Sequence, residues 1–385
     1  MPDLFIGLMS GTSVDAVDGA LVDFAGAHPE TLAFASLPMP ASLRAELLAL
    51  QQPGPDELAR AARATVTLTD LYAEVVHRLL ENASLDAAAV RAIGAHGQTV
   101  RHRPEEGYTL QLMDGARLAE RSGIAVACDF RSADVAAGGQ GAPLVPAFHA
   151  GAFSHPSRRR AVVNIGGIAN VSLLAPGGTV RGHDTGPGNL LLDLWCERHT
   201  GAPYDRDGAW GARGRVLPAL LERLLEEPYF RMAPPKSTGR DLFHDGWLEA
   251  RLAGAGSGAH FTTGAATVAA TADPADVQAT LAELTALTIS RACTAFGADE
   301  VFICGGGARN LLLMQRLAAL CAPATVAATD TLGAASQAVE AVAFAWLAAQ
   351  RLRGEPGNLP EVTGARGPRV LGALYPAPSR APAPA

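Results

Sequence analysis

The sequence is short of the residues and patterns that mark many binding and redox classes. Cysteine occurs five times, at 128, 196, 293, 304 and 321, with neither a C-x-x-C pair nor a His/Cys zinc spacing. Disulfide scaffolds and zinc modules are thereby excluded, and the thiols read as small buried hydrophobes in a reducing compartment. Long basic runs are also missing. Lys and Arg total 31 against 38 Asp and Glu, a formal charge of −7, and the one local exception is Arg158-Arg159-Arg160. That run precedes the apolar Ala161-Val162-Val163 and reads as a solvated strand entrance, so the footprint of a general nucleic-acid binder is lacking. The beginning, MPDLFIGLMSGTS, has Asp3 ahead of a short apolar run broken at Gly7 and Gly11. It resembles neither a signal peptide nor a membrane span, and the expected location is the cytoplasm. No G-x-x-x-x-G-K-[ST] occurs, and Pro235-Lys236-Ser237-Thr238 lacks its glycines, which excludes a Walker-type ATPase. No complete G-x-G-x-x-G follows a strand, which argues against a dinucleotide-binding dehydrogenase.

What is there is a long globular chain. With 385 residues, 48% hydrophobic and 18% charged, two domains or one large one are expected, with cores large enough to form a cleft. Strand-like runs at 4–8 and 20–24 flank a Gly/Ser/Thr/Asp turn, and apolar positions from Leu58 to Leu80 recur at helical spacing over 55–81. The apolar run Val90–Ala95 leads into His96-Gly97-Gln98-Thr99. Residues 124–128 read as a buried strand before Asp129-Phe130-Arg131 and a Gly-rich loop over 137–146. A second unit starts near 160, with strand-like runs at 161–165 and 169–174, then Asp184-Thr185-Gly186-Pro187-Gly188-Asn189 and a helix over 190–198. Asp273-Pro274 opens a helix to about Phe296 that stops at Gly297. Residues 300–304 form a strand running into Gly305-Gly306-Gly307, and helices follow at 310–320 and about 337–351.

Residues 5–24 and 161–174 share one plan: an apolar strand, a glycine-containing tight turn with small polar residues, and a second apolar strand. Any hairpin has glycine at its turn, but two such hairpins with a later strand–GGG–helix element imply an internally duplicated α/β architecture around a nucleotide. Glycine lets backbone N–H groups converge on phosphates. The first cradle is Gly11-Thr12-Ser13-Val14-Asp15-Ala16-Val17-Asp18, where Asp15 and Asp18 are placed to orient a Mg²⁺ hydration shell. Gly166-Gly167 offers the second, and Gly305-Gly306-Gly307 a bare surface for adenine or ribose.

This arrangement resembles the actin, sugar-kinase and heat-shock-chaperone ATPase superfamily, with two ribonuclease-H-like halves that each supply a phosphate hairpin. Whole motifs bring it closer to one family. GLMSGTSVDAVD (7–18), AHGQTVRHRP (95–104), DFRSADVAAGGQGAPLVPAFH (129–149), NIGGIANV (164–171), HDTGPGNLLLD (183–193), YDRDGAW (204–210), PPKSTGRDLF (234–243), CGGGARN (304–310) and VTGARGPRVLGALYP (362–376) resemble the anhydro-N-acetylmuramic acid kinases. The resemblance implies an α/β fold of two actin-like domains, residues 1–150 and 151–375, with an interdomain cleft for ATP and Mg²⁺ and a flexible Pro/Ala tail at 376–385. It also implies a cytoplasmic homodimer that binds no nucleic acid or membrane. The implied reaction adds water at C1 of the 1,6-anhydro sugar and phosphorylates O6 with ATP.

Such a reaction needs one carboxylate base for water and electrostatic support for the phosphoryl group. Asp184, after a strand and before Gly-Pro-Gly, is the expected base. Its alternative is a cap for the helix at 190, for which Asn189 is better placed. Glu340 is the second catalytic candidate, facing sugar or phosphate by resemblance, or else a surface glutamate; the segment 331–340 departs from the family's usual pattern. His96, Gln98 and Thr99 are expected to contact substrate, with a structural histidine as the alternative for His96. Arg131 and the loop carrying Gln140 are expected to read the lactyl carboxylate and the amide, Arg131 being otherwise an internal ion pair. Arg309 and Asn310 either meet adenine or cap a helix. Ala16 stands where the family usually has glycine, so either the backbone there is ordinary or the turn is shifted. Residues 111–116, QLMDGA, also depart from the family's pattern. Two rival readings are a conventional kinase for a free hexose or amino sugar and an actin-like ATPase switch.

Overall fold

Alternating apolar residues lay down the first sheet. Its strands are β1 (Leu4–Met9), β2 (Ala16–Asp23), β3 (Glu30–Pro38), β4 (Val90–Ala95) and β7 (Val126–Cys128), while β5 (Gln98–Arg103) and β6 (Tyr108–Leu112) form a separate two-stranded hairpin. The order is β7-β4-β1-β2-β3, with β1, β2 and β3 antiparallel neighbours and β4 and β7 added in parallel. The computed structural model describes residues 2–11, 14–26, 28–234, 236–240, 242–253 and 272–378. It divides into one unit of Met1–Ala152 with Gly333–Ala385 and another of Phe153–Leu332.

The second unit repeats the plan. Strands β8 (Arg160–Ile165), β9 (Ile168–Leu174), β10 (Val180–Pro187), β11 (Glu300–Cys304) and β12 (Thr325–Ala328) lie in the order β10-β9-β8-β11-β12. Again the first three are antiparallel and the last two parallel. Each unit is thus a ribonuclease-H-like α/β layer, and the duplication inferred from two hairpins extends to the whole sheet.

Residues 333–375 correct the expected division, because they complete the first unit rather than the second. Strand β13 (Ala373–Tyr375) pairs antiparallel with β7. The helix Val339–Arg353 lies against β1 and β4, so close that a Cβ on Gly7 would sit 1.7 Å from the Ala341 carbonyl oxygen and one on Gly94 1.9 Å from that of Phe344. On the opposite face, Gly19 admits Val75 and Leu79 of the helix Glu57–Ala83. Successive strand residues face opposite sides, so these glycines set how closely two helices sandwich one sheet. In the second unit Ala161, Val163 and Ile165 enter a core with Leu281, Leu284 and Ile289 of the helix Pro274–Phe296. That helix starts at Asp273, whose carboxylate accepts from Ala275 N at 2.9 Å, and ends at Gly297 with φ 71°.

The basic run is not simply a solvated entrance. Arg158 and Arg160 clasp Glu300 at 2.6 and 2.8 Å, joining the starts of β8 and β11. All five cysteines are buried and unbridged. Among the described residues no helix is long and apolar enough to cross a membrane.

Candidate active site

In the second unit the glycine segments meet within one layer. Gly166 and Gly167 form the two-residue tip between β8 and β9. The Gly166 carbonyl accepts from Asn189 N at 2.8 Å, and that of Gly167 from Gly188 N and Leu190 N at 2.9 and 3.1 Å. Carbonyl oxygens that would repel an anion are thereby turned to the start of the helix Leu190–Thr200. Asn189 does not cap that helix with its side chain, as its Nδ2 donates to the Ile165 carbonyl at 3.0 Å. Gly305 has φ 79°, and a Cβ there would fall 2.3 Å from Asn164 Oδ1; one on Gly307 would fall 2.3 Å from Ile165 Cγ2. The triple glycine therefore lies directly on the strand that leads into the tip. Asn164 Oδ1 is buried without a hydrogen-bond partner. Arg309 is exposed, whereas Asn310 accepts from Leu313 N at 3.1 Å and caps the helix Leu311–Cys321. Of the two expectations for Asn310, the structure shows the cap.

Asp184 lies within β10, at a bulge where the register with β9 shifts between Asp184 and Gly186. A bulge re-aims a side chain out of the regular ladder. Three groups fix this residue: its N–H donates to the Lys236 carbonyl at 3.2 Å, its carbonyl accepts from Tyr229 Oη at 2.7 Å, and its Oδ2 accepts from Thr238 N at 3.0 Å. Burial pushes its carboxyl up to about 6, and the Thr238 N–H pulls the other way. Beside it Thr238 Oγ1 and His183 Nδ1 are buried without hydrogen-bond partners. The turn that carries Tyr229 is held by Glu227, which accepts from Trp247 Nε1 at 2.8 Å and Arg251 at 2.9 Å.

The first unit gathers a different set at the end of β4. His96 Nε2 accepts from Arg131 Nε and Nη2 at 3.1 and 2.9 Å, while Arg131 Nη1 donates to the Gly141 carbonyl at 2.8 Å. Burial and then the Arg131 charge hold the His96 imidazole down to about 3, so it is neutral. Burial lowers Arg131 to about 10, opposed by the charge of Glu340 in the first turn of the helix Val339–Arg353, so the guanidinium stays cationic. Gln98 donates through Nε2 to the Gly11 carbonyl at 3.2 Å, leaving Oε1 buried and unpartnered, as is His96 Nδ1. Thr99 Oγ1 accepts from Gln111 Nε2 at 3.2 Å, which gives the departing 111–116 segment a role beside Thr99. Gln140 has an exposed side chain, and its N–H donates to the Thr363 carbonyl at 2.7 Å.

The first hairpin is described only in part, since Thr12 and Ser13 lie outside the described residues. Val14 has φ 53°, rare for a β-branched residue, and its N–H donates to the Gly11 carbonyl at 3.2 Å. Ala16 is an ordinary strand residue opposite Pro38 and has no positive φ, so of the two expectations the ordinary backbone holds and alanine there carries no strain. Val14 and Val17 bury their side chains in the core, which leaves only their backbones to meet a ligand. Asp15 is exposed and Asp18 half-buried.

Sequence reasoning missed Asp134, Tyr229, Lys236 and Thr238 as site residues. Asp134 is fully buried and accepts from Gly141 N, Asn358 Nδ2 and Thr363 Oγ1 at 2.8, 2.6 and 2.7 Å, tying the Gln140 loop to the C-terminal segment. Its signal, and that of Lys236 and Thr238, was membership of the quoted blocks at 129–149 and 234–243; Tyr229 lies outside any block.

The chain matches the anhydro-N-acetylmuramic acid kinase family over residues 3–377. A curated anhydro-N-acetylmuramic acid kinase of Bordetella petrii is 58% identical over 378 residues, covering 97% of this chain and 96% of its own. One from Variovorax paradoxus is 55% identical over 386 residues, with 97% and 99% covered. Another, from Cupriavidus metallidurans, is 53% identical over 383 residues, with 97% and 98% covered.

Proposed function

The chain belongs to the anhydro-N-acetylmuramic acid kinase family, and from that premise we propose how it acts on 1,6-anhydro-N-acetylmuramic acid. It opens the 1,6-anhydro ring with water and phosphorylates O6 from ATP, in the recycling of cell-wall amino sugars. The observation that carries this reading is Asp184, a carboxylate held by one backbone N–H, with its carboxyl pushed up to about 6 by burial. Such a group is ionised at neutral pH yet basic enough to accept a proton from water.

The sugar has no free 6-hydroxyl, so an ordinary sugar-kinase step is unavailable to it. Asp184 takes a proton from water as the water oxygen bonds to C1 and the C1–O6 bond breaks. The released O6 bonds to the γ-phosphorus, the bond to the β-phosphate oxygen breaks, and ADP leaves. The proton then passes from Asp184 to solvent, so one anhydro sugar, one water and one ATP give N-acetylmuramic acid 6-phosphate, ADP and a proton. Thr238 N and Tyr229 Oη keep the base in place through this sequence.

His96, Gln98, Thr99, Arg131 and Gln140 are the proposed sugar contacts in the first unit. The unpartnered His96 Nδ1 and Gln98 Oε1 support that role, since a buried polar atom without a partner is costly until a ligand satisfies it. Glu340 is proposed to face the sugar or the transferring phosphoryl group while balancing the Arg131 charge. Gly166-Gly167, Gly305-Gly306-Gly307, Arg309 and the 11–18 hairpin are the proposed nucleotide contacts. Asp15 and Asp18 are hard oxygen donors that fit Mg²⁺ with its waters. When bound, the ion supplies charge neutralisation on the phosphates. A cytoplasmic homodimer is part of the same reading.

The test compares sugars in the presence of ATP. The anhydro sugar should give 6-phosphate and ADP in equal amounts, and free N-acetylmuramic acid should give neither. Faster turnover of the free sugar would make this a conventional kinase, and ATP hydrolysis independent of sugar would make it a switch.

A further inference from the structure

Of 31 lysine and arginine residues, Lys236 is the only lysine. A chain that uses guanidinium at every other side-chain cation places its one ammonium on the segment whose backbone holds Asp184, the Lys236 carbonyl accepting from Asp184 N at 3.2 Å. The two groups are not equivalent: the ammonium is a compact charge with three rotatable donors, the guanidinium a planar fork.

Lys236 is half-buried, and its Nζ donates to the Tyr229 carbonyl at 3.0 Å and lies 4.6 Å from the Tyr229 ring centroid. Among the described residues no carboxylate pairs with it. The nearby Glu227 is already committed to Arg251 and Trp247. Nor is Lys236 the counter-ion of the base, because Asp184 stays pushed up by burial with relief only from the Thr238 N–H. An ammonium taken partly out of water without a counter-charge is costly, and it is retained here two residues from Thr238, whose Oγ1 is unsatisfied, where its charge adds to burial in lowering the His183 imidazole, whose Nδ1 is unsatisfied too. A cation with donors left over, a hydroxyl two residues along the same segment and a ring nitrogen within reach of the cation's charge fit a ligand group that is both anionic and hydrogen-bonding.

We infer that Lys236 binds the carboxylate of the sugar acid and so selects acid-bearing anhydro sugars over those without the acid. Arg131, the carboxylate reader expected from the sequence, is less suited to it, because its Nε–Nη2 edge is committed to His96 and its Nη1 to Gly141. The inference rests on the proposed substrate, and two measurements separate its failure from the failure of that reading.

The first compares wild type and Lys236→Met on 1,6-anhydro-N-acetylmuramic acid and on 1,6-anhydro-N-acetylglucosamine, which lacks the lactyl carboxylate. Loss of a charged hydrogen bond should lower kcat/KM on the acid sugar on the order of 30-fold. It should leave kcat/KM on the other sugar and KM for ATP within about twofold. An equal loss on both sugars would assign the ammonium to the phosphoryl group and overturn the inference, as would no loss on either. The second measurement uses unmodified protein and needs neither turnover nor a variant that folds. Only Lys236 and the α-amino group carry amines, so acylation followed by mass spectrometry reads one side chain. The acid sugar should slow acylation of Lys236 and the sugar without the acid should not; equal rates with both sugars would contradict the assignment. A wild-type protein inert towards every anhydro sugar, yet protected by the acid sugar, would count against the proposed function alone.

Discussion

At the end of β4 in the first unit, a neutral His96 and a cationic Arg131 hold each other in fixed protonation states; on β10 of the second, Asp184 titrates close to neutrality. Both positions grow from the same strand order, and both combine burial with unpartnered polar atoms. In both, burial is the larger cause, carrying a histidine's titration away from neutral pH and a carboxylate's towards it, and the charge next door widens the gap. Arg131 donates twice to His96, which stabilises the neutral ring, whereas Asp184 has one backbone N–H and no cation relieving it. Duplicated folds can therefore assign binding to one half and proton transfer to the other by changing a few neighbours.

The largest expected effect comes from removing the titrating group. Asp184→Asn should lower kcat about 10³-fold, within the range of general-base contributions, and leave the ATP dissociation constant within about twofold. Rate and nucleotide-binding measurements would show whether the halves separate in this way. The same variant should be more stable than wild type at pH 7.5, on the order of 2 kcal/mol. The sign follows from the raised carboxyl: at about 6 in the fold against 3.8 unfolded, the group favours folding fully only below 3.8, and that contribution is lost as pH rises through 6. Urea melts at pH 7.5 and pH 4 should show the advantage vanish at the lower pH.

His96→Leu tests the locked side. Depriving two Arg131 donors of their acceptor should raise KM for the sugar about tenfold, with the acid limb of the pH profile unmoved. A shifted limb would mean that His96 titrates and that the contrast between the halves is wrong. The smallest effect concerns tuning. The acid limb of kcat/KM should lie at about 6 in wild type. Thr238→Pro, which deletes the N–H on Asp184, should move it upward, while Thr238→Ala should leave it in place.

Much of this was legible from residue order. Hairpins, strand runs and helix ends follow local rules of alternation, capping and glycine termination; Asp184, expected after a strand and before a Gly-Pro-Gly turn, lies instead inside β10, which runs on through Gly186 and Pro187 past a bulge. The return of residues 333–375 to the first unit was not legible. It depends on helix Val339–Arg353 finding bare Cα atoms at Gly7 and Gly94, more than two hundred residues away in sequence, and no local pattern encodes that contact. The hairpin β5–β6 was passed over because its residues are polar on one face, where His102, Thr109, Gln111 and Thr99 bond to one another. Side-chain roles were the least legible. Asn310 rather than Asn189 caps its helix, because Asn189 Nδ2 is taken by the distant Ile165 carbonyl, and Val14 rather than position 16 takes the positive φ.

The most direct test of the account is the solvent oxygen of the product. Wild-type protein with ATP and the anhydro sugar in ¹⁸O-water, quenched before anomeric exchange, should give a sugar 6-phosphate with one ¹⁸O at C1 and none in the phosphate. Asp184→Asn, with ATP still bound, should give almost no labelled product on the same timescale. Turnover by Asp184→Asn within tenfold of wild type, or ¹⁸O in the phosphate, would contradict it.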